Sequence, residues 1–161
     1  MEPEVHPNTL ESLSLVPYSE AYLDHSWQWL NDPEIKQLTM TSDFDQDSQR
    51  RWFATLHQKQ DYMIRGVEAA GIPIGACGLK NITADSAEYW GYIGDKTYWG
   101  RGAGQYVIRE MLKAAEQRGL KRLWLRVSDA NSRAMRLYSS NGFGATGSDD
   151  GVITMQTALT Q

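Results

Sequence analysis

Asn131-Ser132-Arg133-Ala134-Met135-Arg136-Leu137-Tyr138-Ser139-Ser140-Asn141-Gly142-Phe143 is the most informative segment of this 161-residue chain. The spacing of Ala134, Met135 and Tyr138 places these three side chains on one side of a short helix. The pair Asn141-Gly142 is typical of a helix end. The phenol of Tyr138 therefore lies in a short helix that begins just after a predicted strand.

A glycine-rich loop, Gly100-Arg101-Gly102-Ala103-Gly104, precedes this segment by about thirty residues. It leads into the clearest amphipathic helix of the chain, whose apolar stripe comprises Val107, Ile108, Met111, Leu112 and Ala115. Unpaired N–H groups at a helix N-terminus attract anions, and glycine lets the backbone approach a phosphate closely. The loop lacks both the six-position glycine spacing of a dinucleotide fingerprint and the Gly-Lys-Ser/Thr ending of a P-loop. It therefore predicts a phosphate site of another kind.

The remaining segments predict alternating strands and helices. A first helix capped by Ser19 ends at Asn31-Asp32-Pro33, and a second helix, capped by Asp43 or Asp45, carries Trp52 and neighbouring apolar residues. Runs of strand character lie at 13–17, 62–67, 72–79, 89–93, 123–127, 143–145 and 152–156. The two runs at 62–67 and 72–79 read as a hairpin. The first third is thus expected to contain one strand and two helices.

Together, the glycine loop and the later helix resemble the GNAT superfamily of acetyl-CoA-dependent N-acetyltransferases. Its coenzyme loop is Arg/Gln-x-x-Gly-x-Gly/Ala and its later helix is Asn-x-x-Ala-x-x-x-Tyr-x-x-x-Gly-Phe. Gly102 and Gly104 match the loop, and the later motif is matched by Asn131, Ala134, Tyr138, Gly142 and Phe143. Trp99 departs from the pattern, because it stands where the family usually has Arg or Gln.

The resemblance implies an α/β fold of the GNAT type. We expect a mixed, mostly antiparallel central sheet of six to seven strands, flanked by about four helices. The sheet should splay between the strands near 89–93 and 123–127, where the coenzyme enters. Residues 11–161 are expected to form one domain, preceded by a loose arm at residues 1–10.

The resemblance also implies roles for individual residues. The coenzyme is expected to contact Tyr92, Ile93, Trp99, Gly100, Arg101, Gly102, Ala103, Gly104 and Asn131. Tyr138 is the expected general acid, because a phenol with an ordinary pKa of about 10 can protonate a departing thiolate. Glu88 is the candidate base, although it could equally be a solvated carboxylate at a strand start. A water chain, the strand backbone, His25 or His57 are the alternatives.

By the same resemblance, the first two helices, the loop between them and the later hairpins are expected to form the acceptor site. The stretch from His25 to Trp52 should therefore decide which amine is accepted. Aromatic residues there resemble the branch that acetylates nucleotide-linked amino sugars, which is close to acetyltransferases of protein N-termini. Asp32 and Glu34 could attract an ammonium group. The alternatives are a protein or peptide N-terminal amine as acceptor, an enzyme that acetylates drugs or amino acids, and a non-catalytic acyl-CoA-binding sensor.

Composition excludes several other classes of protein. A net charge of -4 and a pI near 5.3 argue against a nucleic-acid partner. Cys77 has no second cysteine with which to form an internal disulfide, which suits a reducing cytoplasm. The first ten residues lack the apolar run of a signal peptide or membrane anchor. The family chemistry implies acetyl-CoA as cosubstrate and no metal, and a homodimer is compatible with it.

Overall fold

A computed structural model describes residues 12–160, so the arm predicted for residues 1–10 lies outside the described residues. The strands are β1 (Leu13–Pro17), β2 (Met63–Ala69), β3 (Ile72–Lys80), β4 (Ser86–Ile93), β5 (Arg122–Ser128), β6 (Gly144–Asp149) and β7 (Val152–Ala158). The helices are α1 (Ala21–Asn31), α2 (Pro33–Thr39), α3 (Gln46–Thr55), α4 (Ala103–Gln117) and α5 (Ser132–Ser140). Short 3-10 turns follow α3 at Leu56–Gln58 and precede the glycine loop at Lys96–Tyr98.

All seven strands belong to one sheet, in the order β1-β2-β3-β4-β5-β7-β6. Every neighbouring pair is antiparallel except β4 and β5, which are parallel. The mixed, mostly antiparallel sheet predicted from the family resemblance is therefore confirmed, with seven strands.

The two parallel strands separate soon after they meet. Their pairing runs only from Ser86 opposite Arg122 to Glu88 opposite Trp124. Beyond that point β4 continues to Ile93, still paired with β3 on its other edge. The edge of β4 that faces β5 therefore opens onto a gap, which is the predicted splay.

The alternation of side chains along β4 gives the sheet two different faces. Ala87 and Tyr89 belong to the hydrophobic core, which also contains the buried stripe of α4. On the opposite face, Tyr92 lies edge-on to Trp29 of α1, and the ring of Trp90 lies 6.3 Å from that of Tyr62. The helix α4 thus covers one face, and the helices of the first third cover the other.

The first third differs from the expectation in one element, because it contains three helices instead of two. Asn31-Asp32-Pro33 ends α1, but the Asp32 side chain also accepts hydrogen bonds from the N–H groups of Glu34 and Ile35, and Pro33 occupies the first turn of α2. A proline is tolerated in the first turn, since its missing N–H has no partner there. The same three residues therefore end one helix and begin the next.

The predicted helix caps are partly correct. Asp45 caps α3 by accepting a hydrogen bond from the Ser48 N–H, whereas Asp43 pairs with Lys36. The prediction that Ser19 caps α1 is wrong, because the helix begins at Ala21 and the preceding residue makes no side-chain cap. None of the described helices is both long and apolar enough to span a bilayer.

The thiol of Cys77 provides a test of the packing of the central strands. Cys77 is completely buried on β3, and burial raises the pKa of its thiol to about 12. Thiolate is the reactive form, so we expect no reaction with Ellman's reagent at pH 8 in the native state and one thiol per chain in denaturant. Rapid labelling of the native protein would contradict this packing.

Candidate active site

The glycine loop presents the N-terminus of α4 to a cavity. Gly102 is the residue before α4 and has φ 88°, a left-handed conformation that favours glycine. Gly102 has no side chain with which to cap the helix, and the N-terminus of a helix attracts anions. A Cβ at Gly104 would lie 3.1 Å from Leu137 Cδ2, so glycine there lets α4 approach α5 closely.

Trp99 connects the loop to both sides of the splay. Its indole Nε1 donates a hydrogen bond of 2.7 Å to the carbonyl oxygen of Ile93, at the end of β4. Its ring lies within cation–π distance of Lys96 Nζ, at 5.7 Å, and of the Arg133 guanidinium, at 5.5 Å. Two cations thus lie beside Trp99, at the position where the family pattern has Arg or Gln. Sequence reasoning missed Arg133 because its contact with Trp99 exists only in the folded chain.

Tyr138 lies on α5 with its ring packed among other aromatic rings. The centroid of Tyr89 is 6.1 Å away and that of Phe143 is 5.9 Å away, both in edge arrangements. Tyr138 also lines the cavity. Burial raises the pKa of its phenol to about 12, so the hydroxyl is protonated at every physiological pH.

Side-chain amides fix the position of α5 relative to α4. Gln105 Nε2 donates to Asn141 Oδ1 at 3.3 Å, and Asn141 Nδ2 donates to Gln105 Oε1 at 2.9 Å. At the other end of α5, Asn131 Oδ1 accepts a hydrogen bond from the Ala134 N–H at 3.2 Å. The helix that carries Tyr138 is thus attached to the helix that begins at the glycine loop.

One cavity of about 870 Å³ joins the glycine loop to the space beneath α1, α2 and α3. Most of the predicted site residues line it: Tyr92, Ile93, Trp99, Gly100, Gly102, Ala103, Gly104, Asn131 and Tyr138. Arg101 and Glu88 do not line it. The far part of the cavity is lined by aromatic residues that include Tyr18, Trp52, Tyr62 and Trp90.

Glu88 is not a solvated carboxylate, so that alternative is wrong. It is only 3% exposed and accepts hydrogen bonds of 3.0 Å from Asn81 Nδ2 and 3.0 Å from Arg126 Nε. Lys80 Nζ lies 3.8 Å from its second oxygen. The two cations line the cavity, while the carboxylate between them is buried behind its wall.

The other titratable candidates lie away from the reaction cavity or are already paired. His25 and His57 are exposed and do not line it, and His25 stacks on Trp29 with ring centroids 5.3 Å apart. Asp32 and Glu34 both pair with Lys96, at 2.9 and 3.0 Å. The two carboxylates share a single lysine, which leaves one formal negative charge in this cluster. Among residues 12–160, no three His, Cys, Asp or Glu side chains are grouped in a way that could hold a metal ion.

Comparisons with known proteins identify relatives of this chain by sequence and by fold. The ribosomal protein bS18-alanine N-acetyltransferase of Escherichia coli strain K12 is 30% identical over 70 residues, which is 44% of this chain and 47% of that protein. The chain thus spans about half the length of this curated relative.

Solved structures share the fold along nearly the whole chain. Spermidine N-acetyltransferase from Vibrio cholerae, solved with CoA and spermine, has a TM-score of 0.83 at 21% identity, covering 92% of this chain and 96% of that one. N-acetyltransferase PseH from Campylobacter jejuni has a TM-score of 0.72 at 21% identity, covering 92% and 99%. The model of the acetyltransferase (GNAT) domain matches residues 12–144, so this chain belongs to the GNAT acetyltransferase family.

Proposed function

We propose that this protein is an N-acetyltransferase that moves an acetyl group from acetyl-CoA to a primary amine by direct attack. The observation that carries the proposal is that one cavity is lined by both the N-terminus of α4 and Tyr138. An anionic coenzyme and a proton donor can therefore meet in a single site. Family membership supports the same chemistry, and the PseH neighbour has also been solved with acetyl coenzyme A.

We propose one orientation for the coenzyme in the cavity. Its pyrophosphate would accept hydrogen bonds from the backbone of Gly100 to Gly104 at the positive end of the α4 dipole. Its pantetheine arm would then follow the open edge of β4 between Tyr89 and Ile93, where β5 has diverged. This path leads the thioester towards Tyr138.

Tyr138 is proposed to act as the general acid. The amine nitrogen attacks the thioester carbonyl, the C–N bond forms and the C–S bond breaks, and the leaving thiolate takes the phenol proton. Desolvation disfavours a free thiolate in the same cavity, so protonation of the leaving sulfur by the neutral phenol is favoured there. The phenolate then recovers a proton from solvent.

The proton that the amine releases needs a separate acceptor. A water chain suits this role better than Glu88, because Asn81, Arg126 and Lys80 already surround that carboxylate. Glu88 also lies outside the cavity lining. We therefore propose that solvent in the cavity accepts this proton.

A nucleotide-linked amino sugar is the proposed acceptor. Trp52 lies edge-on to Tyr62 with ring centroids 6.3 Å apart, and the rings of Tyr62 and Trp90 are tilted by 31° at the same separation. Aromatic faces of this kind stack on a base or pack against a sugar. A protein N-terminal amine is the second candidate, and the ribosomal-protein acetyltransferase relative favours it.

Replacing Gly102 by valine tests the coenzyme loop. A β-branched residue strains the left-handed backbone and places methyl groups where a phosphate would lie, so the acetyl-CoA dissociation constant should rise about tenfold or more. Calorimetry measures this dissociation constant. Gly119→Val is the matched control, since Gly119 has φ 78° at the opposite end of α4. Equal losses of affinity in both variants would indicate strain and not a lost phosphate contact.

Tyr138→Phe tests the acid assignment, because it keeps the ring and removes only the hydroxyl. We expect the turnover number to fall roughly 100-fold, which corresponds to about 2.7 kcal/mol, with acetyl-CoA affinity and thermal stability nearly unchanged. Tyr106→Phe, a phenol outside the cavity lining, is the control. Normal turnover by Tyr138→Phe would refute the assignment, and a proportional loss of coenzyme affinity would place the hydroxyl in ground-state binding.

A product screen tests the reaction itself. The protein is incubated with acetyl-CoA and a panel of nucleotide-linked amino sugars, polyamines, amino acids and peptides with free N-termini, and products are identified by mass spectrometry. We expect a mass gain of one acetyl group on an amino-sugar nucleotide, coupled to release of free CoA thiol. Coenzyme binding without thiol release across the whole panel would favour the sensor alternative.

A further inference from the structure

Two cations, one on the strand at each side of β4, flank the same buried carboxylate at the wall of the cavity. Lys80 ends β3, Glu88 lies opposite it on β4, and Arg126 lies on β5, two residues beyond the partner of Glu88. Lys80 and Arg126 both line the cavity, with side chains 37% and 50% exposed, whereas Glu88 is 3% exposed. The carboxylate thus holds two cations at the cavity surface without reaching it.

The charges in this cluster do not cancel. Two cations share one carboxylate, which leaves one formal positive charge facing the cavity. Glu88 engages Arg126 through Nε, and within residues 12–160 the terminal guanidinium nitrogens have no other hydrogen-bonding partner. Those nitrogens form the part of a guanidinium that binds a phosphate oxygen pair.

The cluster adjoins the aromatic part of the cavity. Glu88 and Trp90 are on the same face of β4 and two residues apart, which is about 6.6 Å along a strand. The ring of Tyr62 lies next to Trp90. A ligand that reaches from the aromatic rings to the two cations would therefore combine a flat ring with a neighbouring anion.

We propose that Lys80 and Arg126 bind a phosphate group of the acceptor, and that Glu88 is a positioning residue that holds these two cations. The inference rests on the proposed acetyltransferase function and restricts its acceptor to a phosphorylated amine. A polyamine would meet net positive charge at this cluster, because Lys80 and Arg126 share only the Glu88 carboxylate. Like charges disfavour that class of acceptor.

Binding to the protein saturated with CoA tests the subsite, because CoA fills the phosphate site at the glycine loop. The probes are uridine diphosphate, uridine and malonate, measured by calorimetry. We expect uridine diphosphate to bind at least about tenfold more tightly than uridine, and Arg126→Met and Lys80→Met each to remove most of that difference. Arg122→Met, also on β5 but outside the cavity lining, should bind uridine diphosphate like the wild type.

Several results would overturn the subsite. Equal binding of uridine diphosphate and uridine would do so, as would unchanged uridine diphosphate binding by Arg126→Met and Lys80→Met. Binding of malonate as tightly as uridine diphosphate would show a carboxylate site and contradict the phosphate assignment. In each variant the buried Glu88 keeps the other cation and Asn81 as partners, so these variants should fold, and thermal unfolding checks this.

Glu88→Gln separates positioning from proton transfer. With UDP-glucosamine as the amine, loss of a positioning residue should raise KM for the acceptor several-fold and leave kcat and its pH profile nearly unchanged. Loss of a general base would instead lower kcat by roughly 100-fold and alter the pH profile. That second outcome, or no change in any parameter, would overturn the positioning role.

The subsite and the acetyltransferase function fail separately. Acetylation of unphosphorylated amines by a protein that does not bind uridine diphosphate would leave the function standing and remove the subsite. Binding of uridine diphosphate that depends on Arg126, without acetylation of any amine, would leave the subsite standing and remove the function.

Discussion

The divergence of β4 from β5 after Glu88 is the constraint on which the rest of the site depends. A parallel pair inside an otherwise antiparallel sheet requires a crossover connection, which α4 provides. Because the two strands separate after three paired residues, the backbone of one strand edge becomes accessible in the middle of the sheet. The ion pair between Glu88 and Arg126 lies at this branching point and links the last paired residue of β4 to the diverging part of β5.

Two packed helices convert the gap into a site with fixed geometry. The N-terminus of α4 lies at one end of the cavity, and α5 places Tyr138 along it. The close approach at Gly104 and the reciprocal amide pair of Gln105 and Asn141 hold the two helices together. The glycine-loop end of α4 and the phenol of Tyr138 are thus positioned by the same helix contact. Substrate binding need not assemble this part of the site.

Local patterns in the sequence predicted the elements whose signals are local. The apolar stripe of α4, the glycine loop and the alternation in β5 each lie within one segment, and all three are present in the structure. The sequence pattern does not predict α2, because a proline after Asn31-Asp32 indicates a helix end as readily as the first turn of a new helix. The surroundings of Glu88 could not be inferred in the same way, since Lys80 is 8 residues away and Arg126 is 38 residues away. Such contacts are determined by strand register, which the sequence of one strand does not reveal.

Cationic side chains lie at both ends of the cavity. The chain carries a net charge of -4, yet among residues 12–160 the charged side chains that line the cavity are three cations and one acid: Lys80, Arg126, Arg133 and Glu34. Arg133 stands beside Trp99 at the glycine-loop end, and Lys80 and Arg126 stand at the opposite end. A positive cleft in an acidic protein concentrates anions locally, while the remaining surface does not attract polyanions such as nucleic acids. Because CoA is itself a polyanion, a second cationic group at the far end is needed only if the other substrate is also anionic. The charge pattern therefore favours two phosphorylated substrates that enter one cavity and meet near Tyr138.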